Sequence, residues 1–459
     1  VCGGRCFGFK ASCLGRRNRS FFVVPHLMKT TADPLPHIVV LGAGFAGLAF
    51  AQKFPAGLAR LTVVDRQNHH LFQPLLYQVA AAGLAAVDIA QPTRAILRRV
   101  PNLTVLMGDV TAIDLAGKRV QHTRGELIYD YLVLALGGLT SYFGHPEWEQ
   151  FAPGLKTLDD ALRIRRKVLM AYEQAEAQAD EARRKDLMTT VVVGGGPTGV
   201  ELAGTFSELA RTVLRRDTDH IDPRQARVIL IEGGPRVLAA FPEDLSASAQ
   251  RQLEHLGVEV RLGQHVKEIR ANEVEMPTGE IIRAGNIIWA AGVGAVPLTR
   301  TLGLETDRAG RLKVLPDLSL PGHPEVFATG DLAALVDANG VTVPGVAQGA
   351  MQMGAHAARL IAAELRVRER TAPDRPAFAY HDKGNMATIG RSAAVAQIGN
   401  LHFSGYPAWL AWLGLHLVFL LGFRNKISVL VQWIYSYFTY KRGARIITGV
   451  SGEKSAGSA

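Results

Sequence analysis

The stretch HIVVLGAGFAG at residues 37–47 decides the fold. Its apolar start predicts a buried parallel strand. The glycines that follow, Gly42, Gly44 and Gly47, have the spacing of a dinucleotide-binding turn, and the next apolar run ends in Asp65. We therefore expect Gly42 to form the tight turn, Gly44 to admit a pyrophosphate, and Gly47 to allow close helix packing. Asp65 is placed to accept hydrogen bonds from a ribose.

A second copy of this pattern occurs as TTVVVGGGPTG at residues 189–199. Gly194, Gly196 and Gly199 repeat the spacing, and the apolar run that follows the predicted helix ends in Glu232. The sequence therefore predicts two dinucleotide-binding units in an α/β chain.

Two matches in context are far more specific than one. With 47 glycines among 459 residues, one bare match is expected about 0.5 times by chance. The second copy has a longer interval before its acidic residue, which we attribute to a polar loop at residues 217–225. An acidic residue at each strand end favours a free ribose 2′-hydroxyl, and hence FAD and NADH over NADPH. Arg236 lies close enough to Glu232 to leave some NADPH use open.

Three further stretches resemble the two-dinucleotide-binding-domain flavoproteins: EVFATGD at 325–331, YDYLVLALG at 129–137 and WAAG at 289–292. The resemblance implies two Rossmann-like units, with an NADH unit inserted into a discontinuous FAD unit. It also implies that Asp331 binds the ribityl chain and that Gly330 allows close approach. Gly137 and Gly292 are expected to end the strands that close the FAD and NADH segments.

The branch of this superfamily is indicated by cysteine use and three motifs. Cys2, Cys6 and Cys13 are the only cysteines, which disfavours disulfide reductases and sulfide:quinone reductases. The stretches NHHLFQPLLYQ at 68–78, AQGAMQ from Ala347 to Gln352 and YHDKGNMATIG at 380–390 resemble the type II NADH dehydrogenases, which are non-pumping NADH:quinone oxidoreductases. This resemblance covers about residues 36–446 and implies FAD as cofactor, NADH as co-substrate and a membrane quinone, ubiquinone or menaquinone, as acceptor. It also implies that Ala347 is among the residues that bind FAD.

The resemblance also assigns roles to individual residues. Glu201 is expected to face the nicotinamide and flavin, although a carboxylate near a helix N-terminus also stabilises the helix dipole. Gln348 and Gln352, spaced to share one helix face, are expected at the quinone, although the spacing alone also fits two solvent-facing glutamines. Lys383 is expected near the flavin, where a cation stabilises negative charge; the alternative is a surface lysine in a turn. His69 and His70 lack metal-ligand spacing, so we predict packing or polar contacts and no metal.

The net charge of +10 is concentrated at two ends of the chain. Residues 1–27 carry +5 and residues 383–452 carry +7, so the remainder carries −2. This distribution disfavours nucleic acid as a partner, because gripping a phosphate backbone requires a broader basic surface. The acid-free start fits either a transit peptide or sequence upstream of a native start at Met28, and we favour the latter.

The C-terminal segment is strongly apolar and rich in Trp and Tyr. Residues 407–423 would span about 26 Å as a helix, slightly less than a ~30 Å hydrocarbon core, and Arg424–Lys426 are expected to interrupt it. Residues 427–440 then place Ser428, Gln432, Ser436 and Thr439 in a narrow polar stripe. A transmembrane helix and a buried dimer or core helix are alternatives; we favour a monotopic anchor whose cations face an anionic leaflet.

These observations give the following domain and function predictions. Residues 1–35 form a disordered or non-native leader, 36–155 and 313–395 the FAD-binding domain, 156–312 the NADH-binding domain, and 396–459 the membrane-anchoring region. The protein is expected to be a homodimeric NADH:quinone oxidoreductase, without proton pumping, on the cytoplasmic face of the inner or cell membrane. The alternatives are a soluble NADH:ferredoxin-type reductase and an NADH-binding protein similar to the apoptosis-inducing factors.

Overall fold

A computed structural model describes residues 35–367, 375–439 and 443–447. Residues 1–34 of the predicted leader, which include its three cysteines, the expected anchor residues 440–442 and the tail after residue 447 lie outside the described residues.

Strands and α-helices are numbered in the order in which they occur along the chain. The strands are β1 (His37–Leu41), β2 (Arg60–Asp65), β3 (His69–Leu71), β4 (Ala90–Pro92), β5 (Leu103–Met107), β6 (Val110–Asp114), β7 (Arg119–His122), β8 (Gly125–Ile128), β9 (Tyr131–Leu134), β10 (Gly138–Thr140), β11 (Thr190–Val193), β12 (Val228–Glu232), β13 (Val258–Leu262), β14 (Glu268–Arg270), β15 (Glu273–Glu275), β16 (Ile281–Arg283), β17 (Asn286–Trp289), β18 (Val293–Ala295), β19 (Leu312–Lys313), β20 (Ser319–Leu320), β21 (His323–Ala328), β22 (Ala333–Ala334), β23 (Asn385–Gly390), β24 (Ala393–Ile398) and β25 (Leu401–Ser404). The α-helices are α1 (Phe45–Lys53), α2 (Leu76–Ala80), α3 (Ala86–Ile89), α4 (Thr93–Leu97), α5 (Leu158–Glu176), α6 (Glu181–Leu187), α7 (Pro197–Glu208), α8 (Glu243–His255), α9 (Ala347–Arg366), α10 (Tyr406–Phe419) and α11 (Phe423–Thr439).

The first large sheet has the strand order β20-β21-β9-β1-β2-β5. All neighbours pair in parallel except β20, which runs antiparallel to β21. Every residue of β1 is buried, as expected for a central strand with both faces covered. The topology places β21, which comes after the second glycine-rich unit, beside β9 of the first. The chain therefore returns to its first sheet.

The second large sheet repeats this arrangement with the order β13-β12-β11-β17, in which all strands are parallel. In the first sheet β1 lies between β2 and β9, and in the second sheet β11 lies between β12 and β17. The strand order therefore changes direction beside β1 and beside β11. Ligands of open α/β sheets bind at such a switch point, outside the carboxyl ends of the strands. The prediction of an α/β chain with two Rossmann-like units is confirmed.

The helices that follow the glycine-rich turns begin within the glycine-rich motifs themselves. α1 begins at Phe45 and α7 at Pro197, each directly after a glycine with extended backbone, Gly44 or Gly196. α7 ends at Glu208, and a π-helical turn follows it. Glu201 is therefore the fifth residue of α7 and lies beyond its first turn, so a simple helix-dipole role is less favourable than expected.

The break between the last two helices also differs from the prediction. Arg424–Lys426 do not interrupt the helix but lie in the first turn of α11. The chain instead turns at Leu420 and Gly422, because Leu420 is extended and Gly422 takes a left-handed φ of +85°. Glycine adopts that conformation without a steric penalty.

α10 packs on the sheet of β23, β24 and β25, and α11 packs on α3. Trp412, Leu420 and Val429 share a buried cluster with residues of α2, α7 and β11. Only two residues of each helix are fully buried, Ala408 and Trp412 in α10 and Asn425 and Val429 in α11. Most of the surface of both helices is therefore left outside the core.

Candidate functional site

The first glycine-rich turn has the geometry that its sequence predicts. Gly42 has a φ of +102°, and a Cβ there would overlap the backbone carbonyl of Ala135, which directly follows the neighbouring strand β9. A Cβ at Gly47 would overlap the carbonyl oxygen of Gly42, so this glycine allows α1 to begin directly against the turn. Gly44 has no heavy atom within 4 Å of such a Cβ. Its open side is where a phosphate group could approach the backbone.

Asp65 is bonded to the backbone of the same turn. One carboxylate oxygen accepts from the N–H of Ala43 at 2.6 Å and the other from the N–H of Gln67 at 2.7 Å. Burial raises the pKa of Asp65, and the two backbone hydrogen bonds oppose this rise. The carboxylate therefore fixes the turn at the end of β2, from which it can also reach a ribose.

A cavity of about 610 Å³ opens along this turn. It is lined by seven of the eight predicted FAD-binding residues: Gly42, Gly44, Asp65, Gly137, Gly330, Asp331 and Ala347. The eighth, Gly47, packs behind the turn. The open space at Gly44 and Gly137 and the carboxylates at either end suit a long ligand with hydroxyl groups and a pyrophosphate. The residues present therefore fit a flavin nucleotide.

Lys156 is a cavity residue that the sequence did not single out. Burial lowers the pKa of Lys156, and the nearby carboxylate of Asp331 opposes this shift. The two groups come from residues 175 positions apart in the sequence. No local pattern could have paired them, because Lys156 stands in an irregular segment before α5.

The second glycine-rich turn repeats the first. Gly194 has a φ of +111°, and a Cβ at Gly199 would overlap the carbonyl oxygen of Gly194. Glu232 accepts from the N–H of Gly195 at 2.5 Å and from the N–H of Gly234 at 2.6 Å. Like Gly44, Gly196 has open space beside it.

Arg236, which left the choice of NADPH open, is bonded to the backbone. Its guanidinium donates to the carbonyl oxygens of Phe241 at 2.8 Å and Ala239 at 3.0 Å. A cation satisfied in this way is less available for a 2′-phosphate.

Gly292 lies beyond the carboxyl end of β17, where Phe143 and Ser141 of the first unit approach it. The predicted end of the NADH segment thus contacts the first unit.

Glu201 lies against β23, which comes much later in the chain. Burial raises the pKa of Glu201 well above its usual range, and a hydrogen bond from the backbone N–H of Thr388 opposes this rise. The charge of Glu201 also helps to raise the pKa of the buried Tyr77 phenol. Glu201 thus occupies a poorly solvated position, as groups at functional sites often do.

Gln348 and Gln352 lie in the first turns of α9 and bind the segment that contains Lys383. Gln352 donates to the carbonyl of His381 at 2.9 Å and accepts from the N–H of the same residue at 3.0 Å. Gln348 accepts from the N–H of Lys383 at 3.1 Å and donates to Gly384 at 3.2 Å. Neither side chain is a free solvent-facing glutamine. The structure brings these three predicted residues together.

The ammonium group of Lys383 lies 6.0 Å from the ring centre of Phe419 in α10. The Lys383 segment therefore joins α9 to the C-terminal helices. Ala347 and Ala350, on the same end of α9, line the large cavity. The predicted quinone residues thus lie between that cavity and α10.

The polar stripe of α11 faces the protein. Ser428 and Gln432 donate to the carboxylate of Asp88 in α3, each at 2.8 Å. Asp88 is only 4% exposed and also accepts from the N–H of Ala85 at 2.8 Å. Sequence reasoning missed Asp88; the stripe indicated that some polar partner must exist but not which residue supplies it.

The opposite side of the two helices is exposed. We call this surface the apolar face; it consists of Tyr406, Leu410, Leu415, Val418, Phe419, Phe423, Ile427, Leu430, Val431, Ile434, Tyr435 and Phe438. The exposed fractions of Phe423 and Phe438 reach 82% and 77%. Contiguous exposed apolar surfaces of this kind usually mark an interaction site. No helix among the described residues is long and apolar enough to cross a membrane.

The predictions for His69, His70 and the C-terminal cations can be compared with the contacts of single side chains. His70 is buried and its Nδ1 lies 3.1 Å from the carbonyl oxygen of Ala43, whereas Nδ1 of His69 lies 3.0 Å from the side chain of Asn68. Both make the polar contacts that we predicted. Arg445 is one of the cations of the predicted anchoring region, residues 396–459, and it forms an ion pair with Asp217 in the loop after α7. Its charge is therefore directed at the protein.

Comparison with known proteins adds to this geometry. The sequence pattern of the family described as pyridine nucleotide-disulphide oxidoreductase matches residues 36–354. The chain is 44% identical over 438 residues to the type II NADH:quinone oxidoreductase Ndh of Mycobacterium tuberculosis, covering 92% of this chain and 93% of that protein. It is 45% identical over 424 residues to the type II NADH:quinone oxidoreductase NdhA of the same organism, covering 90% and 89%.

The fold also has a solved counterpart. The structure of NDH2 from Plasmodium falciparum in complex with NADH superposes with a TM-score of 0.82 at 19% identity, covering 90% of this chain and 100% of that one. At this identity the similarity shows the fold alone.

Proposed function

The chain belongs to the pyridine nucleotide-disulphide oxidoreductases and, among them, to the type II NADH:quinone oxidoreductases, and from this membership we propose how its own residues carry the reaction. The protein oxidises NADH and reduces a quinone through a flavin, without pumping protons. The observation that carries the residue assignments is that Ala347, which lines the cavity along the first turn, directly precedes Gln348, which binds the Lys383 segment. A bound flavin supplies the two-electron relay between NADH and the quinone.

FAD is the flavin that best fits the first sheet. A cavity that runs from Asp65 at the carboxyl end of β2 to Asp331 after β21 has carboxylates for both a ribose and a ribityl chain. A flavin mononucleotide would leave the Asp65 end unused. We assign the FAD-binding domain to 36–155 and 313–395, and assign Gly42, Gly44 and Gly47 to the pyrophosphate turn.

NADH is assigned to the second sheet, within the domain 156–312. Gly194, Gly196 and Gly199 would form its phosphate turn, and Glu232 would bind the ribose hydroxyls. A 2′-phosphate would approach this carboxylate, and repulsion between the two negative groups favours NADH over NADPH. The backbone bonds of Arg236 support the same preference.

Glu201 is proposed to orient the nicotinamide. Its carboxyl group is poorly solvated, and the N–H of Thr388 holds it in place. A carboxyl group held this way can accept a hydrogen bond from the carboxamide of the ring and fix its plane. Such positioning lowers the barrier to hydride transfer without Glu201 having to exchange a proton.

The quinone is proposed to bind where the Lys383 segment meets α10. Gln348 and Gln352 hold this segment through their amides, and the Lys383 ammonium provides a positive charge near the acceptor. Such a charge stabilises the negative charge that develops as electrons reach the quinone oxygen. The two glutamines would thus act mainly by positioning the segment, in addition to any contact with the ring.

The apolar face is proposed to attach the protein to one leaflet of a membrane, as a monotopic protein on the cytoplasmic side. α10 and α11, of 14 and 17 residues, are about 21 Å and 26 Å long and so suit an interfacial position. The polar stripe of α11 is bonded to Asp88, which leaves the apolar side of this helix outward. A lipid quinone could then reach Lys383 from the bilayer.

We also propose a homodimer, for which the exposed strand β25 offers the outer edge of its sheet.

Rapid mixing of the two half-reactions tests these assignments. The purified full chain with its cofactor should be reduced quickly by NADH and slowly by NADPH, and a short-chain quinone should then reoxidise it. Failure of the quinone to reoxidise the flavin would contradict the acceptor assignment. Mass spectrometry of the released cofactor separates FAD from the mononucleotide. Sedimentation with anionic liposomes, compared between the full chain and a Phe423→Glu/Phe438→Glu variant, tests the apolar face.

A further inference from the structure

A continuous series of hydrogen bonds joins α11 to the residue that holds Glu201. The indole N–H of Trp433 donates to Oε1 of Gln78 at 2.8 Å, and Nε2 of Gln78 donates to the hydroxyl of Tyr77 at 3.0 Å. The Tyr77 hydroxyl lies 2.9 Å from Oγ1 of Thr388. β23 packs directly on α7, because a Cβ at Gly204 would overlap the carbonyl oxygen of Ile389. The backbone of Thr388, the residue before Ile389, is the group whose hydrogen bond to Glu201 opposes the rise in the pKa of that carboxyl group. Four elements, α11, α2, β23 and α7, are connected in this way.

The direction of these hydrogen bonds is fixed by chemistry. An indole N–H can only donate, so the amide oxygen of Gln78 must face Trp433 and its NH₂ group must face Tyr77. The Tyr77 oxygen then accepts from Gln78, and its own proton is left for Thr388. Burial raises the pKa of Tyr77, and the charge of Glu201 raises it further, so the phenol stays protonated and remains a donor.

The surroundings keep Tyr77 in this position. Tyr77 is 5% exposed, and its ring meets the ring of Trp412 edge to face at 6.3 Å between centres. Trp412 in turn packs on Trp433 at 5.8 Å. The same aromatic contacts therefore set the distance between α11 and α2 over which Gln78 must reach.

We propose that Tyr77 and Gln78 are positioning residues for NADH oxidation, which transmit the placement of α11 through Thr388 to the carboxyl group of Glu201. This inference rests on the proposed role of Glu201. It goes further in that it makes the NADH half-reaction depend on the helix that carries the apolar face. Seating of α11 on a membrane would thereby be coupled to orientation of the nicotinamide.

The physical consequence concerns the protonation of Glu201. The hydrogen bond from Thr388 opposes the burial that raises the pKa of this carboxyl group. If Thr388 loses its contact with Tyr77, that bond weakens and the pKa of Glu201 should rise further. The pH at which Glu201 titrates is therefore a readout that mere packing by Tyr77 would leave unchanged.

The variants that test this are Tyr77→Phe and Trp433→Phe. Each removes one hydrogen-bonding group and keeps an aromatic ring, and both residues border a cavity of about 310 Å³, which limits strain on folding. The matched control is Tyr131→Phe. It loses a tyrosine hydrogen bond of similar length, 2.8 Å to Glu364, at the amino end of β9, away from both glycine-rich turns.

The full chain with bound cofactor is used in detergent. Tyr77→Phe should slow flavin reduction by NADH about fivefold to tenfold, the effect of losing roughly one well-placed hydrogen bond. It should also shift the midpoint of the pH dependence of NAD⁺ binding, measured by calorimetry, upward by up to ~1 unit. Trp433→Phe should act in the same direction and more weakly. Tyr131→Phe should change neither quantity.

A double variant separates this inference from the proposed function. If Tyr77 acts through Glu201, then Tyr77→Phe should have no further effect in a Glu201→Gln background. Full additivity of the two changes, or an unchanged pH midpoint in Tyr77→Phe, would overturn the positioning role. If Glu201→Gln alone leaves NAD⁺ binding and flavin reduction unchanged, the proposed role of Glu201 itself fails, and the positioning inference fails with it.

Discussion

The side chain of Gln348 accepts a hydrogen bond from the backbone N–H of Lys383 at 3.1 Å. The two residues were assigned separately, one to a quinone motif and the other to a position near the flavin. Their contact means that a change in the glutamine also moves the lysine. If a Gln348 variant loses function, the reason is therefore that the whole Lys383 segment is no longer held in place.

Gln348→Ala should slow reoxidation of the reduced flavin by quinone about tenfold or more. The variant loses the oxygen that accepts from the N–H of Lys383 and the NH₂ group that donates to Asp382 and Gly384. Reduction by NADH should stay within about twofold. Rapid mixing of each half-reaction measures the two rates. Gln397→Ala is the control, since this glutamine makes one exposed contact, to Gly399. Equal loss of both half-reactions would contradict a role on the quinone side.

Gly47→Ala and Gly199→Ala should affect the two nucleotide sites separately. In each case the new methyl group would overlap the carbonyl oxygen of the turn glycine, Gly42 or Gly194. Gly47→Ala should lose bound flavin, whereas Gly199→Ala should retain flavin and bind NADH at least ~10-fold more weakly. Cofactor absorbance and NADH titration measure these outcomes.

Gly414→Ala is the control for both glycine changes. Gly414 lies in α10, and a Cβ at this position would meet no heavy atom within 4 Å, so alanine should stabilise the helix by about 0.5–1 kcal/mol. Retention of flavin in Gly47→Ala would show that the turn can relax and that close packing is not required.

His416 should make stability depend on pH. Burial against Trp412 lowers the pKa of His416 to about 4, from an ordinary value of 6.5. Its neutral form is favoured in the folded state, so this stability is complete above pH 6.5 and decreases as the pH falls towards 4. The full loss is about 3 kcal/mol.

His416→Phe should remove this slope. Denaturant unfolding of both proteins, followed by tryptophan fluorescence between pH 7 and pH 4.5, measures the difference. The variant should become progressively more stable relative to the parent as the pH falls. Parallel curves for the two proteins would mean that His416 is solvated or already charged in the folded state.

Asp88→Ala should loosen α11. The carboxylate is the common acceptor for Ser428 and Gln432, and its removal deprives these two half-buried donors of that acceptor. We expect a cost of about 3 kcal/mol, located in α11. Hydrogen exchange should increase in α11 and change little in β11 or β12. Glu181→Ala, which removes an exposed ion pair with Lys185, should cost under about 0.5 kcal/mol.

The glycine-rich units could be predicted from the sequence because each is a local pattern. Each unit consists of a strand, three glycines and an acidic residue. The backbone geometry of a short segment determines what each of these must do. Gly42 and Gly194 need positive φ, and Asp65 and Glu232 end their strands beside those turns. Each helix begins directly after an extended glycine, Gly44 or Gly196, and therefore inside the motif.

The C-terminal helices show where the sequence was insufficient. Their apolar and aromatic composition was evident, and so was the polar stripe of α11. Which side faced the protein depended on Asp88, a residue 340 positions before Ser428. The cations at Arg424–Lys426 were expected to break the helix, but the break lies at the left-handed Gly422.

The sequence by itself determined the two nucleotide-binding turns, the return of the chain to its first sheet and the family to which the chain belongs. Only the tertiary structure decided that Gln348 holds Lys383, that β23 packs on the helix that contains Glu201, and that Trp433 is connected to Thr388 through Gln78 and Tyr77. The reason is physical. A turn or strand is specified by neighbours within a few residues, whereas these contacts join segments that are distant in the chain and exist only once the sheets and helices have packed.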